Sequence, residues 1–117
     1  MTLREAIDRT DRLTQNDFSE EVKRRWLEQL DGRIARELPH RPPTDLPAYD
    51  DATRLLVPEP YAEPVYHSFL TAQFERENGE TARYNQSAAL FESAYLEFAS
   101  WYNRTHPPLC AAQCFRV

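Results

Sequence analysis

Six aromatic and small apolar residues, Tyr84, Ala88, Phe91, Tyr95, Phe98 and Tyr102, recur at intervals of 4, 3, 4, 3 and 4. No strand produces that spacing, because a strand alternates with a period of two. A stretch this long with a 3.6-residue period folds as one helix with a single buried face. The spacing predicts a helix over about 84–104, ended by Pro107 and Pro108, whose rings and missing N–H groups stop helix propagation.

Asn78-Gly79 just upstream is a turn signal. Before it, Val65 or Tyr66, Phe69, Leu70 and Phe74 give an apolar face to a helix over about 61–77, with Pro64 tolerable only in its first turn. Two helices joined by so short a turn pack as an antiparallel hairpin. Near the N-terminus, Thr2 and Glu5 have capping-box spacing, and Leu3, Ala6, Ile7, Thr10 and Leu13 continue it as a helix over about 3–14. Ser19 caps a further helix over about 20–37, with Glu20 and Glu21 in its first turn. Its apolar stripe is Val22, Trp26, Leu30 or Leu27, Ile34 and Leu38, and Pro39 stops it. Gly32, inside that helix, is either a site of close backbone approach or a tolerated weak point.

Between the second and third helices the periodicity fails. Pro39, Pro42, Pro43, Pro47, Pro58 and Pro60 make residues 39–60 a long Pro-rich loop, with Leu55-Leu56-Val57 as its apolar island. The expected fold is therefore all-α: a four-helix domain over 1–106 with a C-terminal antiparallel hairpin, the Pro-rich loop after helix two, and an extended C-terminal tail over 107–117. A chain of 117 residues suits one such domain.

The formal charge of −5 argues against a protein that grips nucleic acid by neutralising phosphates. No apolar run reaches the roughly 18 residues of a membrane span, and the first residues lack the apolar core of a signal peptide, so a cytoplasmic site of synthesis is expected. His106, Cys110 and Cys114 are each four apart, but a structural zinc site takes four ligands, and a Cys110–Cys114 disulfide would close a tiny loop. We read no metal site there. His40, His67 and His106 lie in no nucleophile or metal motif, and Gly32 and Gly79 are too few for a phosphate-cradling loop. No catalytic residue, cofactor or metal is expected, and the chain reads as a non-enzyme. Trp101 either caps the core or anchors a partner.

Four segments carry a resemblance to the small adaptor proteins that join portal to tail in tailed phages, the head–tail connectors: residues 2–9, from Thr2 to Arg9; 26–34, from Trp26 to Ile34; 55–61, from Leu55 to Tyr61; and 78–85, from Asn78 to Asn85, with the aromatic helix running on through Trp101-Tyr102-Asn103-Arg104-Thr105-His106. The resemblance implies a virion neck protein made in the host cytoplasm. It implies a homo-oligomeric ring, typically of about twelve copies, with closed symmetry. Its partners are the portal protein above and the next neck, stopper or tail protein below. DNA passes through the channel without sequence-specific binding, and no membrane is involved. By the same resemblance Trp101, Tyr102, Thr105, His106, Pro107, Pro108, Leu109 and Phe115 are expected at the portal interface. Tyr49, Asp50, Asp51, Leu55 and Leu56 are expected at a neighbouring subunit or the next protein. The alternative is a small helical regulatory or protein-binding module of prophage or bacterial origin.

Overall fold

The computed structural model describes residues 1–37 and 49–105. The described residues form four helices: α1 (Leu3–Leu13), α2 (Glu20–Glu37), α3 (Ala62–Glu77) and α4 (Thr81–Thr105). Among the described residues there is no strand, only an isolated antiparallel bridge between Thr2 and Arg54. The chain is all-α. Leu38 of the expected apolar stripe, Pro39, residues 40–48, His106 and the tail 107–117 lie outside the described residues.

The Thr2 hydroxyl accepts the Glu5 N–H, and the Glu5 carboxylate accepts the Thr2 N–H, so both halves of the capping box form. Leu3, Ala6, Ile7 and Thr10 are buried along one face of α1. At the head of α2 the Ser19 hydroxyl accepts the Val22 N–H at 3.3 Å. Leu27, Leu30 and Ile34 are buried, Trp26 half so. Among the described residues a Cβ at Gly32 would meet only the Arg36 guanidinium, at 3.5 Å, so the position reads as a tolerated weak point rather than a close backbone approach.

Central in the fold is α3, which touches the other three helices and buries Ala62, Val65, Tyr66, Ser68, Leu70, Ala72 and Phe74 around its circumference. It begins at Ala62, one residue later than the spacing predicts, with Pro64 in the first turn where no backbone donor is needed. It ends in a Schellman turn. Glu80 N–H donates to the Glu75 carbonyl and Gly79 N–H to that of Arg76, with Gly79 at φ +74°. The turn is so compact that α4 starts at Thr81, three residues before the predicted start. Apolar spacing could not find that first turn, because Thr81, Ala82 and Arg83 are all exposed.

Contacts pair the start of α3 with the end of α4 (Tyr61 with Trp101, 5.4 Å between ring centres) and the end of α3 with the start of α4 (Glu75 with Ser87). Between them Phe69 meets Phe91 at 5.5 Å, and Phe91, Tyr95 and Phe98 follow one another along α4 at 5.9 and 6.3 Å. Burying each such ring stabilises the fold by roughly 1.5–3 kcal/mol.

Of the Pro-rich segment, residues 49–60 are described, and they form turns closed onto the N-terminus rather than a free extended loop. Leu3 N–H donates to the Thr53 carbonyl, Arg4 N–H to that of Asp51, and Leu55 N–H to that of Met1. Two orphan donors of the first turn of α1 are thereby satisfied, and Leu55 and Val57 enter the core.

Candidate functional site

Sequence reasoning passed over Asp31. It lies on α2 between Leu27 and Ile34, on the buried face, and is 0% exposed. Its Oδ2 accepts the Tyr49 hydroxyl at 2.8 Å and the Leu56 N–H at 3.0 Å. Its Oδ1 accepts the Tyr66 hydroxyl at 2.7 Å, and the Tyr66 phenol oxygen in turn accepts the Val57 N–H at 3.0 Å. A buried carboxylate is tolerated only where donors replace its water. Among the described residues three donors come from two other parts of the chain, so the carboxylate joins α2, α3 and segment 49–57. Burial first, then the Asp31 charge, pushes the Tyr66 phenol well above its ordinary pKa. The phenol therefore stays a neutral donor.

On the surface above, Arg4 forks onto both Glu20 oxygens at 2.9 and 2.8 Å and reaches Asp8 and Asp51 at 3.1 and 3.3 Å. Arg24 meets the same Asp51 oxygen at 2.9 Å. The hydrogen bond from Arg4, then lesser contributions from Arg24, holds the Asp51 carboxyl below its ordinary range. Exposed pairs like these contribute little to stability, but they fix the direction of segment 49–57.

The five residues expected as loop contacts thus fall in one segment with different roles. Tyr49 and Leu55 are buried and engaged within the chain. Asp50 shapes a turn, accepting the Ala52 N–H at 2.9 Å. Asp51 is tied to Arg4 and Arg24, and Leu56 is half-buried against the core.

At the far end of α4, Trp101 and Tyr102 are half-buried on Phe98, at 6.3 and 6.1 Å between ring centres, and Trp101 also packs on Tyr61. Trp101 thus packs against the core and stays half-exposed. Thr105 donates its hydroxyl to the Trp101 carbonyl at 3.0 Å. His106, Pro107, Pro108, Leu109 and Phe115 lie outside the described residues, as do Cys110 and Cys114.

Three further groups set the electrostatics. Lys23, 5% exposed at its side chain, donates to Asp11 at 2.6 Å and lies over the Phe74 ring. Tyr95 donates to Glu37 at 2.6 Å while Arg33 holds the other Glu37 oxygen at 2.9 Å. Those two bonds, the Tyr95 one first, keep Glu37 below its ordinary pKa. His67 is pushed down by burial.

Open clefts cut the described surface, among them the following two. One of about 350 Å³ is lined by residues 15–18 and Asn78. The other, of about 550 Å³, is lined mainly by the charged residues of the first turns of α2, with Tyr49. Among the described residues no group of three or more His, Cys, Asp or Glu is placed to hold a metal ion, and no helix is long and apolar enough to cross a membrane. The Asp31 carboxylate and the Tyr49 and Tyr66 phenols are bonded to one another.

The outer face of α4 also carries Leu90 and Leu96, 65% and 63% exposed, which the search for a buried stripe left aside. No protein-family model, no curated protein and no solved structure matches this chain.

Proposed function

We propose that the chain is a head–tail connector of a tailed phage: a non-enzymatic helical subunit that assembles as a ring beneath the portal, extends the DNA channel and docks the next neck or tail protein. The observation that carries the reading is where the four connector-like segments lie. Residues 2–9 cap and begin α1, and 26–34 hold Asp31. Residues 55–61 include the two N–H groups taken by Asp31 and Tyr66, and 78–85 form the Gly79 turn into α4. Segments 26–34 and 55–61 meet at the Asp31 carboxylate, and 2–9 is bonded through its backbone to Asp51 and Thr53, so the resemblance is spread over several parts of the fold rather than one helix. The step from fold to function rests on the resemblance.

The mechanism is adaptation by binding. The end of α4, with Trp101, Tyr102 and Thr105, leads into the segment assigned to the portal, and the Pro-rich segment is assigned to a neighbouring subunit or the next protein. Ordering such segments on assembly buries surface at an entropic cost. The net charge of −5 suits a channel wall that DNA slides past.

Light scattering on the purified protein, alone and mixed with the portal protein of the same genome, tests this. A stable ring that co-migrates with the portal is the expected result. A chain that ignores an intact portal overturns the proposal and leaves the small helical binding module. Removing residues 107–117 should keep the helical circular dichroism and abolish docking. A truncated chain that docks normally takes the tail out of the interface.

A further inference from the structure

The 25 residues of α4 span about 37 Å at 1.5 Å per residue, and the side turned away from the core is not an ordinary solvated face. Ala82, Gln86, Ala89, Ser93, Leu96 and Ser100 run along it at intervals of 4, 3, 4, 3 and 4, all exposed and all uncharged. That is the spacing of a coiled-coil seam. Leu96 lies in the seam and Leu90 beside it. Among the described residues the only other large hydrophobic as exposed as these is Leu13, on α1.

The row beside the seam says what covers it. Arg83, Leu90 and Glu97 follow one another seven residues apart. In an antiparallel pair of helices, residues on equivalent edges meet each other. Centred on Leu90, a second copy of α4 running the opposite way sets its Glu97 against Arg83, its Arg83 against Glu97, and Leu90 against Leu90. In the same register Ser93 faces Ala89 of the second copy, Leu96 faces Gln86, and Ser100 faces Ala82. Small residues meet in the Ser93–Ala89 and Ser100–Ala82 layers, and the larger Leu96 and Gln86 fill the layers between them.

A parallel copy instead brings Glu92 against Glu97, a like-charge contact. The antiparallel pair has one such contact, Glu92 against its own counterpart, where the parallel pair has two, and only the antiparallel pair gains the two Arg83–Glu97 contacts. The 3.3 Å bridge from Arg83 to Glu80 is exposed and weak, and it leaves other guanidinium donors for a partner.

We propose that the outer face of α4 binds the same face of a second copy of this chain, antiparallel, as a two-fold dimer. The contact is self-complementary and closed. It needs only this chain and does not rest on the connector reading.

Sedimentation equilibrium over a wide concentration range, at low salt, tests it. The wild-type chain should approach twice its monomer mass. Arg83→Glu should weaken association by about tenfold or more, because like charges then meet twice across the axis, and Glu97→Arg should do the same. The double variant Arg83→Glu/Glu97→Arg should restore the dimer. All of these positions are exposed, and circular dichroism checks that the helices persist. A wild-type chain that stays monomeric, single variants that associate undiminished, or a double variant that fails to recover overturns the proposal.

Discussion

Asp31 of α2 and Tyr66 of α3 meet at 2.7 Å, the phenol donating to Oδ1, while the same phenol oxygen takes the Val57 N–H. Through this pair a segment without regular structure is fastened to two helices at once. Desolvating a carboxylate costs several kcal/mol. Hydrogen bonds to a charged group return about 1.5–3 kcal/mol each, so the three donors among the described residues offset much of the cost. The contribution is therefore greater to the geometry of segment 49–57 than to net stability.

The same arithmetic makes loss of the carboxylate expensive. Asp31→Ala leaves two phenols and the Leu56 N–H facing a dry cavity. We expect destabilisation of about 3 kcal/mol or more, read as a lowered urea midpoint. Asp31→Asn keeps the volume and one acceptor and should cost less. Equal effects of the two substitutions, or a shift below about 1 kcal/mol for Asp31→Ala, would mean that the carboxylate is not what fastens the segment.

Stability should be highest between roughly pH 7 and 9. His67 is depressed from 6.5 by burial, so the unfolded chain takes up a proton first and stability falls as pH drops below that value. Glu37 and Asp11 lie below their ordinary 4.5 and 3.8. Burial raises Asp11, but the bonds from Asn16 and Lys23 outweigh it. Their stabilisation is complete above those values and is lost at lower pH, steepening the acid limb. Tyr66 and Tyr95 are raised above 10.0, burial being the first cause in both, so their stabilisation is complete below pH 10 and is lost above it. Urea midpoints across pH check the shape. His67→Gln should flatten the segment between about pH 5 and 7 and leave the steeper acid limb.

The two glycines should respond oppositely to alanine. Gly79 needs its positive φ for the Schellman turn, and although the space around it is open, Gly79→Ala should cost about 1 kcal/mol. Gly32 sits in regular helix with room for a methyl group, so Gly32→Ala should stabilise by about 0.5–1 kcal/mol. Thermal unfolding of both variants settles this, and a destabilising Gly32→Ala would return the close-approach explanation.

Much of the helical frame was legible because it is written locally. The Thr2–Glu5 box, Ser19, Asn78-Gly79 and the aromatic spacing of α4 each act within one or two turns. The Asp31 junction was not, because Tyr49 and Tyr66 lie 18 and 35 residues away. The local trace was an acidic residue four after Leu27 and three before Ile34, on a face that had to be buried. The inward turn of Tyr49 and Leu55 had no period to reveal it. Trp101 showed both its options in sequence, and only the position of Tyr61 decided that it packs on the core. Leu90 and Leu96 were readable as soon as the inner stripe of α4 was known, but single exposed leucines are ordinary, and only the charged row beside them gives them a direction.

Lys23 gives a direct probe of the fold, since it is the single lysine of the chain. Its side chain is 5% exposed, its ammonium donates to Asp11 at 2.6 Å, and the Phe74 ring lies 5.8 Å away. A buried, paired ammonium is a poor nucleophile: it must leave its carboxylate, lose a proton and reach solvent before it can attack an acylating reagent. Native protein treated with an amine-reactive ester should therefore acquire almost no label at Lys23, and peptide mass analysis locates what label there is. Modification at Lys23 should rise with urea along the same transition as the loss of helical circular dichroism, because exposing the side chain requires parting α2 from α1 and α3. Rapid labelling at Lys23 without denaturant would show that α1 and the head of α2 open independently of the core, and would remove the Lys23–Asp11 pair from the contacts that hold the two helices together.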